Sequence, residues 1–309
     1  MKKVIVVVQG GLGNQLFCYA AARRLALVNN AELAIDDVSG FARDRLYRRT
    51  YGLDHFHIPV RKATPSERME PFGRYRRFLS RWISRRRPFA QRRYLCQEGL
   101  DFDDRLLAIK VDSVLYLDGY WQSENYFKDV EQAIRNDLRI VLPGDESNQS
   151  LSRQIARSNS VALHIRWFDS PSGVSNNNLS CSYYQRAIAY IEQRFVRPHY
   201  FVFSDRPEAV RQEIDIPVNR ATYVSQNERN GNAHADLWLM SQCRHFVTAN
   251  STFSWWGAWL GGAENKVVVT PREKLGTITA WGLKGQIPEH WVQLLWILCL
   301  AEFALKVIV

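Results

Sequence analysis

A short apolar run that stops at a glycine turn and continues into a helix leaves a chain few ways to fold, and this sequence begins with one. Residues 4–8 are unbroken Val and Ile, as in a strand covered on both faces. Gly10-Gly11-Leu12-Gly13-Asn14-Gln15 supplies the turn. Residues 16–28 then place Leu16, Ala20, Ala21, Leu25 and Val28 along one side of a predicted helix. Residues 32–35 form a second strand ending in Asp36-Asp37. The alternation recurs. Strands over 114–117, 161–163, 199–203 and 245–248 each end at polar or small residues and are followed by helical patterns. Strands alternating with helices predict an α/β fold.

A chain of 309 residues carries about two domains on the usual size prior. The Pro/Gly/polar stretch at 142–148 is the predicted boundary. It separates a domain over 1–145 from one over 150–290, with an apolar segment at 291–309. Five cysteines, odd in number and far apart, form no C-x-x-C pair. They speak against a disulfide framework or a structural zinc and for a reducing, cytoplasmic setting. The start is too short in apolar residues for a signal peptide.

Charge is uneven. The net charge is +10, and residues 61–93 hold 12 Lys/Arg against two acids, which accounts for all of it. This basic insertion, at about 61–97, carries Phe72, Tyr75, Phe78, Leu79, Trp82 and Ile83 at roughly helical spacing. The readings are the solvated face of an amphipathic helix or a helix lying on a membrane surface, while the chain has no nucleic-acid motif. The tail's apolar run over 294–301 is followed by Glu302 and Lys306. At this length it is marginal for spanning a bilayer, and reads as a closing helix returning to the first domain or an interfacial anchor.

In open α/β sheets ligands sit at the carboxyl ends of strands, so the residues there matter most. Gly11 and Gly13 present backbone N–H groups to an anion or sugar. They fit neither the dinucleotide fingerprint, which needs a third glycine where Leu16 stands, nor a P-loop. Trp121 and Gln122 offer an aromatic face and an amide to a sugar ring, or simply packing at a helix start. Ser123 is placed to cap a helix over 124–138. His164, Arg166 and Asp169 follow a buried strand, and Arg166 brings a planar, always-charged fork suited to phosphate. An ion pair of Arg166 with Asp169 is the plainer reading. Ser204-Asp205 closes the next strand, where a carboxylate can accept two N–H bonds from a guanine edge or cap the helix at Pro207. Asn250, Ser251, Thr252 and Ser254 open an apolar helix and make a metal-free phosphate cradle. Asp101-Phe102-Asp103 would suit a divalent metal, but it leads into an acidic helical turn, which is the preferred reading.

Four blocks resemble the α-1,2-fucosyltransferase family, glycosyltransferase family 11. They are residues 10–17 (GGLGNQLF), residues 116–123 (YLDGYWQS), His164-x-Arg166 with Tyr183-Tyr184 and Ala187-Ile188, and His234-Ala235-Asp236-Leu237 through to residues 254–259 (SWWGAW). The resemblance implies a GT-B-like fold, two Rossmann-like domains facing a central cleft. It also implies GDP-fucose held mainly by the second domain and inversion at the transferred sugar without a required metal. On that footing Arg166 takes the pyrophosphate, Asp205 the guanine, His164 the phosphates or ribose, and Asn14 the fucose or acceptor hydroxyl. The expected acceptor is a galactose-terminated glycan, with a membrane surface or lipid-linked glycan as a further expected partner. The chain departs from the family pattern His-x-Arg-Arg-Gly-Asp at Trp167-Phe168. That change keeps open a transferase with another GDP-sugar donor, or a non-catalytic GDP-sugar or glycan-binding relative. An inverting transfer needs a base, and Asp36, Asp37, Glu124 and Asp169 are all candidates.

Overall fold

The computed structural model describes the chain apart from residues 43, 45–46, 168, 171–172, 175–177, 228–231, 273–280 and 296–309. It forms two compact units. The first is Met1–Val141 with Leu283–Pro288, and the second is Leu142–Gly282 with the residues after Pro288. Each holds a parallel sheet with its own core.

In the first unit β1 (Lys3–Val7), β2 (Glu32–Asp36), β3 (Arg61–Lys62), β4 (Tyr94–Cys96) and β5 (Val114–Asp118) line up as β3-β2-β1-β5-β4. All pairings are parallel. β1 sits in the middle with Val4, Ile5, Val6 and Val7 buried, and each such side chain removed from water contributes about 1.5–3 kcal/mol. Helix α1 (Leu12–Val28) begins at Leu12, four residues before the predicted start. It buries Leu16, Phe17, Tyr19, Ala20, Ala21, Ala22 and Leu25 on more than one side. The predicted helix over 124–138 does not form. Two single 3-10 turns are followed by a short α3 (Glu131–Asp137). Tyr126 packs against Phe102 and Trp121, while the adjacent Phe127 packs against Phe17 of α1. Neighbouring residues with separate partners favour a bend over a continuous helix.

The second unit opens with α4 (Glu146–Ala156), whose first turn lies inside the stretch read as a linker. Asp145 caps it by accepting from the Asn148 N–H at 2.8 Å. Strands β6 (Ser160–Ile165), β9 (His199–Ser204), β10 (Ala221–Val224), β11 (His245–Val247), β12 (Val268–Pro271) and β13 (Val292–Leu294) run in the order β10-β9-β6-β11-β12-β13. That is the 3-2-1-4-5-6 arrangement of the Rossmann sheet. Between β6 and β9 lie a small hairpin, β7 (Asp169–Ser170) with β8 (Gly173–Val174), and helix α5 (Cys181–Glu192). Helices α6 (Pro207–Glu213), α7 (Ala233–Ser241) and α8 (Thr252–Leu260) complete the layers. Residues 292–294, read as part of a closing helix or anchor, instead pair with β12 as a sixth strand. The rest of that segment lies outside the described residues. Among the described residues no helix is long and apolar enough to cross a membrane.

Candidate active site

In each sheet the strand order reverses beside the first strand, between β1 and β5 in one and between β6 and β11 in the other. Ligands of open α/β sheets bind at the carboxyl side of such a point, where diverging loops leave a crevice. The sequence-predicted residues collect at these two places.

At the first, β1 runs out through Gly10 and Gly11 into α1. Gly11 is the N-cap residue, so Gly13 and Asn14 lie within the first helical turn. The amides of Leu12 and Gly13 have no acceptor within the helix, as at any helix start. Gly10 has φ +77°, and a Cβ there would stand 2.8 Å from Asn14 Nδ2 and 3.1 Å from the Tyr120 ring. Asn14 Oδ1 accepts from Gln122 Nε2 at 3.0 Å, so the two predicted residues touch. Gln122 Oε1 in turn accepts from Gln286 Nε2 at 2.9 Å. Gln15 clamps the loop from below, donating to the Gly10 and Thr50 carbonyls and accepting from the Gly52 N–H, each at 2.9 Å. Gln97 Oε1 accepts from the Tyr120 and Trp121 N–H groups. Gly119 beside them has φ +153° and leaves no room for a Cβ, which would meet Gln97 Cβ at 2.5 Å.

Trp121 is a correction. Its ring is wholly buried, edge-on to Tyr126 at 5.5 Å between centroids, and so packs the core rather than offering a face to a sugar. Asp36, a candidate base, is also buried, and its carboxylate accepts from the Val38 and Ser39 N–H groups. Asp37 lies 3.6 Å from Lys62. Asp101 accepts from the Lys284 N–H, and Asp103 caps the following turn and pairs with Arg105. Asp103 is thus committed to its own turn, and Asp101 to the returning segment at Lys284.

At the second crevice β6 and β9 end side by side, Ile165 opposite Ser204. Arg166 Nη1 lies 2.9 Å from Asp205 Oδ2, and the Trp167 N–H donates to Asp205 Oδ1 at 3.1 Å. Arg166 thus forms an ion pair with Asp205. The side chain of Asp169 lies outside the described residues. Asp205 does not cap α6, whose N-cap is Arg206. Ser204 Oγ instead accepts from the Arg206 N–H at 3.1 Å, which fixes the turn that presents Asp205. His164 is buried, and its Nδ1 has no partner. Burial, and secondarily the Arg166 charge, hold its pKa down to about 3, so the ring is neutral at ordinary pH. It can exchange hydrogen bonds with a ligand but adds no cation to the site.

Across β11 the chain passes Asn250 to Ser251, the N-cap residue of α8, whose Oγ accepts from the Phe253 N–H at 3.3 Å. The Phe253 ring lies 5.6 Å from His164, which brings the two sides of the crevice together. Thr252 is the first residue of α8, at the positive end of its dipole. Ser254 is the second correction. It is wholly buried and its hydroxyl faces the Ala249 and Ser251 carbonyls, so it braces the turn and does not line the crevice. The hydroxyl of Tyr183, a residue of the third resemblance block, donates to the Thr248 carbonyl at 2.8 Å and anchors the end of β11 from α5. Gln15 lay within the quoted glycine block, whereas Gln97 and Gln286 carry no local signal because their partners are distant in sequence.

Two parallel sheets, one in Rossmann order and each with a switch point, make an α/β fold of the GT-B class. The profile of "Glycosyl transferase family 11" matches residues 81–275. The chain belongs to glycosyltransferase family 11, and it is a glycosyltransferase enzyme. It is 30% identical to an alpha-1,2-colitosyltransferase of Escherichia coli, covering 95% of this chain and 99% of that one. It is 31% identical to the O-antigen biosynthesis glycosyltransferase WbnK of Escherichia coli, over 85% of this chain and 92% of that one. In fold it is similar to an arginine-to-lysine mutant of Arabidopsis thaliana FUT1 in complex with GDP. The TM-score is 0.52 at 15% identity, over 89% of this chain and 71% of that one.

Proposed function

We propose that this enzyme moves L-fucose from GDP-β-L-fucose, with inversion and without a metal, to a hydroxyl of a galactose-terminated glycan, forming an α-1,2 linkage. The observation that carries the reading is the meeting of Arg166 and Asp205 at the adjoining ends of β6 and β9, beside the buried His164, whose Nδ1 has no partner. Donor binding would exchange the Arg166–Asp205 pair for two better-matched ones. The carboxylate accepts from the guanine ring N–H and exocyclic amine, and the guanidinium forks onto the pyrophosphate. As the bond from the sugar carbon to the β-phosphate oxygen breaks, negative charge grows on GDP. Arg166, with Ser251, Thr252 and the start of α8, stabilises that charge, the role a metal plays elsewhere. Asn14, steered by Gln122, orients the fucose or the incoming hydroxyl. A lipid-linked glycan at the inner face of a membrane, met by a cytoplasmic enzyme, is an acceptor of this kind.

GDP release from GDP-fucose in the presence of a galactose-terminated oligosaccharide tests the reading, with turnover expected in chelator. Arg166→Ala should reduce it by roughly a hundred- to a thousand-fold. Tight GDP binding without turnover would point to a non-catalytic relative. The likeness to a colitosyltransferase along nearly the whole chain favours one second reading, a different GDP-sugar donor. Turnover with GDP-colitose but not GDP-fucose would establish it.

A further inference from the structure

Helix α2 (Gly73–Arg85) is amphipathic in the reverse of the usual sense. A surface helix normally turns its apolar side to the core. Here the inward side is polar. Arg77 donates to the Arg68 carbonyl at 2.7 Å, Ser84 Oγ accepts from the Tyr94 N–H at 3.1 Å, and Arg81 lies 3.7 Å from Asp118. The outward side carries Tyr75 (67% exposed), Phe78 (63%), Leu79, Trp82 (47%) and Ile83, with Phe72 (79%) just before the helix. At 100° per residue these side chains form one stripe opposite Arg77, Arg81 and Ser84. The helix has five arginines and no acid, Arg86 and Arg87 follow it, and the Arg86 guanidinium stacks 3.2 Å over the Trp82 ring.

We propose that this face docks the enzyme on an anionic lipid bilayer, independently of which donor it uses. A helix of 13 residues lying flat would set its aromatic rings at headgroup depth, where aromatic side chains are favoured. The exposed Arg74, Arg85, Arg86 and Arg87 would meet lipid phosphates and anionic headgroups. A second copy of the chain is the poorer occupant, because pairing this face with itself brings two acid-free rows of arginine together.

Flotation of the full-length protein with vesicles of phosphatidylcholine containing about a third phosphatidylglycerol, against phosphatidylcholine alone, tests the proposal. Binding is expected to the anionic vesicles, weakening as salt is raised. The double variant Phe78→Ser, Trp82→Ser should bind about ten- to a hundred-fold more weakly, while turnover of a soluble acceptor stays as in the parent enzyme. Equal binding to both vesicle types, undiminished binding by the double variant, or a parent enzyme that is a dimer through this face would each overturn it.

Discussion

His164, one residue from the end of β6, is a neutral ring because burial strips it of water and Arg166 stands close by. Its pKa is about 3 in the folded chain against 6.5 when exposed. Below pH 6.5 the unfolded chain therefore binds the extra proton, and stability falls as pH drops from 6.5 towards 3. The slope from this one residue approaches about 1.4 kcal/mol per pH unit. His199 and His245 are shifted in the same direction by burial. Urea unfolding of the parent and of His164→Asn at about pH 7 and pH 5 separates its share: the parent should lose more stability than the variant. Asp205 is tested by a different readout. Asp205→Asn leaves an amide that can accept from only one guanine N–H while its NH₂ opposes the other. GDP affinity should drop by about 1.5–3 kcal/mol, measured by calorimetry, and the preference for GDP over ADP should shrink with it. Loss of affinity for both nucleotides alike would move Asp205 from reading the base to positioning Arg166. The contact of Trp167 with Asp205 is made by its backbone N–H, so this hydrogen bond does not depend on which side chain stands at position 167.

Elements carry the next set of constraints. The turn between β1 and α1 depends on Gly10, whose φ of +77° and close approach to Asn14 leave no place for a side chain. Gly10→Ala should cost about 1–2 kcal/mol in urea unfolding and lower kcat more than it raises KM, because it displaces Asn14 rather than the donor crevice. Asp236 of α7 accepts from Asn227 Nδ2 at 2.7 Å, and Asn227 shares two amide hydrogen bonds with the buried Asn148 of α4. Asp236→Ala should destabilise the second unit by about 1–3 kcal/mol, since it leaves a buried amide short of an acceptor. A thermal shift no larger than that of an exposed Asp variant would show the network to be slack. Such links explain what the sequence could and could not reveal. β1, β6 and β9 were legible because unbroken apolar runs are local facts. So were the positions of Arg166, Asp205 and Ser251, which stand just beyond β6 and β9 and at the start of α8. The pairing of Arg166 with Asp205 was not, because β9 lies beside β6 only in the folded sheet. The burial of Trp121 and Ser254 was hidden for the same reason, each residue type being equally at home lining a crevice or filling one. In α2 the helix and its apolar stripe were readable, while the side facing its own unit depended on what Arg68, Tyr94 and Asp118 offered it.

The whole chain does not divide at one cut. Residues Leu283–Pro288 return to the first unit, where they donate to Gln122 and Asp101 and accept from Ser123 and Phe102. Gln122 is the residue that holds Asn14, so a late segment of the chain sets the first crevice. A fragment of residues 1–141 retains the five strands but loses four hydrogen bonds, each contributing about 0.5–1.5 kcal/mol. Calorimetry should therefore show the fragment unfolding at a lower temperature than the first unit does in the full chain. An identical temperature would mean that the returning segment only touches the unit without supporting it. In the full chain the two cores should respond separately to ligand. GDP at about a hundred times its Kd adds about 2.7 kcal/mol to whatever holds it. If the donor rests on Arg166, Asp205 and Ser251, that increment belongs to the transition of the second unit, and Arg166→Ala should abolish it. A shift confined to the other transition would move the donor to the crevice of Gly11, Asn14 and Gln122 and reverse the assignment of the two sheets.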